Sequence, residues 1–321
     1  MELANLEAIR PLMAMPNLKE LRCGWVQGRS STARVRTPYI NWPPRKLAMS
    51  IIFYTLSPTQ LIALPFQHLS SVRVDYLTVG TSQESSREEQ TSVMQAVLRD
   101  LVHKQVQVEV KGMMCLQRNY NELVHAPGGG LQALASFAAP AATAPPSPQQ
   151  PPSPPPPAVS LSGSAAAPPA QKLPPVPLIE GQAAAGPQCP LVLSDREEAT
   201  LLDMQLDAGD IHGVAAAWGS RVWCLRLVNC SLASQAWAAI TADRFSKLLF
   251  LELDYGGGLT GTELPLGADL MAMLMKWPQS RPLYIQVPAT YPDREHIKRD
   301  VQACQAALSA HGMGHITLAW Q

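Results

Sequence analysis

The chain has no surplus of either charge. Its 25 lysines and arginines meet 25 aspartates and glutamates, which removes the electrostatic argument for nucleic acid or an anionic membrane as the main partner. No stretch of about 18 uncharged apolar residues occurs, so no membrane-spanning helix is expected. The amino terminus, MELANLEAIRPLMAMPNLKEL, places acidic residues early and holds no apolar run suited to a signal peptide. The six cysteines (Cys23, Cys115, Cys189, Cys224, Cys230 and Cys304) lack both CxxC spacing and the density of a disulfide scaffold. Together these absences give a soluble, cytoplasmic protein with free thiols, in which the sequon Asn229-Cys230-Ser231 carries little weight. Much of the 46% apolar content is alanine, which buries little area per residue.

Catalytic signatures are missing as well. There is no GxxxxGK[ST] phosphate loop and no GxSxG elbow, and Gly128 to Gly130 and Gly256 to Gly258 read as flexible turns. His311-Gly-Met-Gly-His315, with Cys304 seven residues earlier, lacks the further ligands a tetrahedral zinc site needs and reads as a surface tail. Asp203, Asp207 and Asp210 interleave with apolar residues as a solvated helical flank does. Arg29, Arg34, Arg36, Arg45 and Lys46 surround Tyr39 and Trp42 in an expected exposed loop, with an acidic partner or RNA as the alternative. No catalytic residue, cofactor or metal is assigned.

What the sequence does contain is a three-part layout: an α/β region over 1–137, a Pro/Ala/Ser-rich linker over 138–190, and a second α/β region over 191–321. The linker has only Lys172 and Glu180 as charges between Pro140 and Pro190, so burial cannot offset its ordering entropy, and it is expected to be a disordered, partly stiff spacer. Its PxxP spacing also suits an SH3- or WW-type domain. The flanking regions carry about +4 before the linker (14 basic, 10 acidic residues) and −4 after it (10 basic, 14 acidic). Before the linker the patterns predict strands at Leu18–Cys23, Ser50–Tyr54, Val72–Tyr76 and Val106–Val110. A helix over Ser86–His103 follows from an apolar face of Val93, Val97, Leu98, Leu101 and Val102. After it, Ser194 and Glu197 have capping-box spacing for a helix over Asp195–Trp218, broken at Gly209. Strands are expected at Val222–Leu227, Leu248–Leu253, Leu283–Val287 and His315–Leu318. Helices are expected near Ala233–Ala242, Leu266–Lys276 and Asp293–Ala310.

The stretch Val222-Trp-Cys-Leu225-Arg-Leu227-Val-Asn229-Cys230-Ser-Leu232, and Leu248-Leu-Phe-Leu251-Glu-Leu253 after it, resembles the leucine-rich repeat LxxLxLxxN/C of the ribonuclease-inhibitor-like class. Leu225 and Leu251 are 26 residues apart, a usual repeat length. Leu18 to Cys23, Ile51 to Phe53 and Leu69 to Val74 are looser matches, and the steps from Val72 to Val106 or Val108 and from Leu251 to Leu283 are long. The resemblance implies a degenerate α/β solenoid of short parallel strands with helical returns, interrupted by the linker, and a non-catalytic protein-binding scaffold. Strand parity then gives Arg226, Asn229, Glu252, Asp254 and Tyr255 as contact residues. Such proteins include ubiquitin-ligase adaptors, for which no F-box is seen here, and components of the cytoskeleton or ciliary axoneme. A small α/β enzyme, or a fragment of a longer repeat protein, is the competing expectation. The flanking regions are compatible with one continuous stack that loops out the linker and with two separate stacks.

Overall fold

The computed structural model describes residues 6–25, 49–80, 86–115, 126–136, 188–194, 197–254, 267–287 and 294–320. Before the linker, α1 (Arg10–Met13), β1 (Glu20–Trp25), β2 (Ser50–Leu56), α2 (Pro58–Ile62), β3 (Ser71–Gly80), α3 (Arg87–His103), β4 (Val108–Cys115), β5 (Ala126–Pro127) and α4 (Gly129–Ala135) follow one another. After it come β6 (Leu191–Leu193), β7 (Glu198–Leu202), β8 (Met204–Leu206), α5 (Ala208–Trp218), β9 (Cys224–Val228), β10 (Ser231–Leu232) and α6 (Ser234–Ala239). The chain continues through β11 (Phe250–Asp254), α7 (Ala268–Leu274), β12 (Leu283–Val287), α8 (Arg294–Ala310) and β13 (Ile316–Trp320).

The architecture is α/β. Ten strands form one sheet in chain order, β1 to β4, then β7, β9, β11, β12 and β13, with β6 beside the start of β4. Every described pair is parallel. A second, three-stranded sheet stacks β10, β8 and β5 just beyond the carboxyl ends of the main strands. Helices α2 to α7 touch their chain neighbours in the same order. Alternate strand residues, including Ile51, Val74, Val110, Leu201, Leu227, Leu253 and Ile285, share one core with helix residues such as Leu98, Val214 and Leu270. Each fully buried leucine there contributes roughly 1.5–3 kcal/mol.

The linker does not divide this core. Residues Met1–Ala138 and Pro187–Gln321 form a single compact unit, and Ala139–Gly186, the bulk of the expected spacer, lies outside the described residues. Strand β4 pairs with β6 and β7 across the linker, Val108 opposite Leu191 and Met113 opposite Leu201. The two flanking regions therefore share one sheet.

Three expectations need correction. Asp195–Trp218 is not one helix: β7 and β8 occupy its first half, and only Ala208–Trp218 is helical. Ser194 and Glu197 instead close a turn, Glu197 N–H donating to the Ser194 carbonyl at 3.0 Å. The capping box is Asp207 with Asp210, each side chain accepting the other's backbone N–H at 3.0 Å. The leucines in this stretch fit both periods, and the free edges of β4 and β9 decided the outcome by supplying ladder partners. In α3 the buried face is Gln90, Met94, Val97, Leu98 and Leu101, while Val93 and Val102 are exposed. Gly128 to Gly130 are buried at the start of α4, where a Cβ on Gly129 would lie 2.5 Å from the Arg87 carbonyl oxygen. Close packing against α3, not turn flexibility, requires glycine there.

Candidate protein-interaction surface

Strand alternation that sends one set of side chains into the core sends the other to the face opposite the helices. Around β7, β9 and β11 the register aligns Ala199, Leu225 and Leu251 inward, and Ile285 continues the row on β12. Leu251 is thus in register with Ile285, one pleat beyond the expected Leu283.

The turns after β7 and β9 repeat in detail. Asp203 and Asn229, 26 residues apart, both have positive φ (57° and 51°). Each donates its backbone N–H to the last carbonyl of a later strand, Asp203 to Val228 at 3.0 Å and Asn229 to Asp254 at 2.5 Å. The side chain of Asn229 donates to Asp203 Oδ1 at 2.6 Å, tying one turn to the other. Cys230 is buried, and its thiol donates to the Leu201 carbonyl of the neighbouring strand at 3.2 Å. Burial pushes the thiol pKa up to about 12, which suits a donor and not a nucleophile. Ala199, Leu201 and Leu206 are in register with Leu225, Leu227 and Leu232, each 26 residues later, and Met204 precedes Cys230 by the same 26 residues. That equivalence was missed by sequence reasoning because Met204 stands where Cys230 does 26 residues later; the 26-residue offset between Leu201-Leu206 and Leu227-Leu232 was the available signal.

Of the expected contact residues, Arg226 and Glu252 come together on the outward face. The Arg226 guanidinium pairs with Glu252 at 2.7 Å and reaches Glu198 at 4.0 Å. Burial opposes the Arg226 charge, but Glu252 and Glu198 outweigh it and hold its pKa above the ordinary value. Asp254 is half-buried at the carboxyl end of the same row. Asn229 is 92% buried and belongs to the turn framework, so its assignment as a contact residue is corrected: its amide is spent on Asp203. Tyr255 lies outside the described residues.

Aromatic side chains on this face were not anticipated. Trp223 meets Phe250 edge-on at 5.3 Å, and Phe250 stacks on Tyr284 at 5.2 Å and 20°. Tyr284 is 46% exposed. On the pre-linker half Tyr54 meets Tyr76 edge-on at 5.5 Å, and the Lys111 ammonium sits 5.9 Å over the Tyr76 ring. Parity applied to Phe250 and Tyr284, as it was to Glu252, would have found them.

The Asp203, Asp207 and Asp210 series is not a solvated flank. Asp207 and Asp210 bind Arg87 of α3, Asp210 at 3.2 Å, while Asp203 lies in the β7–β8 turn. Asp210 is fully buried, and burial raises its pKa to about 6 despite Arg87 and Gln132. Among the described residues no cluster of three metal-ligating side chains occurs. His311 and His315 flank a turn between α8 and β13 in which the His315 carbonyl accepts from Leu283 N–H, so this segment sets register and is not a tail. The basic residues Arg29 to Lys46 and Gly256 to Gly258 lie outside the described residues. No described helix is long and apolar enough to cross a membrane.

A half-open cavity of about 630 Å³ lies at the amino ends of β3, β4 and β6, lined by residues including Phe66, Val72, Leu101, Gln105 and Pro190. Its walls carry hydrocarbon, hydroxyl and amide groups. Compared with family models, curated proteins and solved structures, the chain finds no match.

Proposed function

We propose that the chain is a non-catalytic interaction scaffold of leucine-rich-repeat type, a single degenerate solenoid whose outward strand face receives another protein. The observation that carries this reading is the face itself: Trp223, Phe250, Tyr284 and Arg226 stand together on a rigid sheet. Trp, Tyr and Arg dominate binding energy at protein interfaces, and side chains held by a ladder lose little entropy on binding. The solenoid reading is supported by chain-order parallel pairing, the 26-residue step and the recurrent positive-φ turns. The linker's PxxP spacing belongs to the same reading as a second contact for an SH3- or WW-type domain. The cavity gives little support to an α/β enzyme, because in open α/β sheets ligands bind beyond the carboxyl ends of strands and this one lies at the amino ends.

The test is proximity labelling with the full chain and two variants. Arg226→Glu with Tyr284→Ala alters the outward face, and Arg99→Glu alters an exposed site on α3. A partner set lost only with the first variant supports the scaffold; a set indifferent to both removes it.

A further inference from the structure

The main sheet has two edge strands, β1 and β13. The outward N–H and C=O groups of an edge strand are a template for pairing with another chain, and charged side chains are one defence against it. Strand β1 has that defence: Arg22 pairs with Glu20 at 2.7 Å, and their side chains are 77% and 49% exposed. Strand β13 reads Ile316-Thr-Leu-Ala-Trp320, with no charge, glycine or proline. Such a strand pairs readily with its own kind.

Helix α8 packs against β13 and supplies a different defence. Its buried face carries Ile297, Val301 and Leu308. Gln305 stands in the same row, four residues after Val301 and three before Leu308, where an apolar residue is the usual choice. The Gln305 carboxamide Nε2 donates to the Ile316 carbonyl at 3.3 Å, and its Oε1 accepts the Leu318 N–H at 2.6 Å. In a parallel ladder, one residue of the next strand makes the same two bonds, to the carbonyl of residue i and the N–H of residue i+2.

We propose that Gln305 is a strand surrogate, which occupies the β13 edge and keeps it from pairing with β13 of a second copy of this chain. The partner is a second β13 because both strands are then uncharged, whereas β1 would bring Glu20 and Arg22 to the joint. About a two-fold axis at Leu318, each copy's Leu318 N–H donates to the other's Leu318 carbonyl in an antiparallel pair, and the assembly closes as a dimer. Gln305 holds that N–H in the single chain.

The experiment compares the full chain with Gln305→Met, which keeps the side-chain length and loses the amide, and with Gln302→Met, which adds the same apolar group at an exposed position of α8. Light scattering during size exclusion should show wild type and Gln302→Met as monomers and Gln305→Met as a concentration-dependent dimer. Thr317→Lys, on the exposed side of β13, should return Gln305→Met to the monomer. The Leu318 amide should exchange about tenfold faster in dilute Gln305→Met than in wild type. A folded Gln305→Met that stays monomeric, a dimer equally present in wild type or Gln302→Met, or assemblies larger than a dimer would each overturn the proposal. Exchange in the wild type reads the contact without any substitution, and an unprotected Leu318 amide there would overturn it as well.

Discussion

Before the linker the strands keep a common sheet while their spacing wanders; after it two steps are regular. Ile51 pairs with Val72 after 21 residues, and β3 pairs with β4 after 36. Leu201 to Leu227 and Leu227 to Leu253 are 26 each, and only then does the step lengthen to 34. The sheet needs an inward apolar residue at each register position and accepts a short return (α2) or a long one (α3) between them. Regular length matters for the turn. Asp203 and Asn229 hydrogen-bond each other because their strands enter the turn at the same point.

The two regions meet at a seam built on contacts closer than a side chain allows. A Cβ on Gly213 of α5 would lie 1.9 Å from the Leu131 carbonyl oxygen of α4, and one on Gly112 of β4 would lie 2.1 Å from that of Thr200 on β7. Both contacts are with backbone, which cannot swing aside. Gly213→Ala and Gly112→Ala are therefore expected to cost about 3 kcal/mol or more each. Gly314→Ala, which meets nothing within 4 Å, should change stability little. Urea titration checks this. If the seam is the weak joint the chain will no longer unfold in one step, and a wild-type midpoint in either seam variant would show that the two regions are not held together there.

Arg87 is the electrostatic part of the seam. Arg87→Ala leaves Asp210 buried without its cation, at a cost of about 2–3 kcal/mol near neutral pH. That is less than for a wholly buried pair, because the side chains of Arg87 and Asp207 are 25% and 40% exposed. The sign with pH is fixed by Asp210, whose folded pKa of about 6 is above its ordinary 3.8. Its stabilising share is complete below the lower value and is lost as pH rises through the upper one. Removing Arg87 raises the folded value further, so the deficit should be small at pH 5 and grow above pH 6. Melting curves across that range test it; a deficit that shrinks with rising pH would contradict it.

These two joints also show where sequence reading stopped. Strand positions were legible because leucine, isoleucine and valine alternate along them, and Arg226 and Glu252 followed from the same parity. Gly213 and Gly112 were not legible, since a glycine's neighbour across a helix or strand pair has no local signal. Asp207 and Asp210 resembled a polar flank because their partner, Arg87, is 120 residues or more away. The β7 strand was hidden by a leucine pattern that serves either period until β4 and β9 offer hydrogen bonds.

The smallest expected effects lie in the regular turns and separate backbone from side chain. Cys230→Ala removes the donor to the Leu201 carbonyl and should cost about 1 kcal/mol. Asn229→Ala has two costs, the 2.6 Å bond to Asp203 and a Cβ-bearing residue less tolerant of φ 51° than asparagine, for about 1–2 kcal/mol in all. Asn229→Gly loses the bond but relieves the backbone, so it should recover about half of that loss. Guanidinium titration of the pair distinguishes the two terms. If alanine and glycine are equally destabilising, the side-chain bond alone sets the turn. If glycine matches the wild type, the positive φ is what the 26-residue spacing preserves.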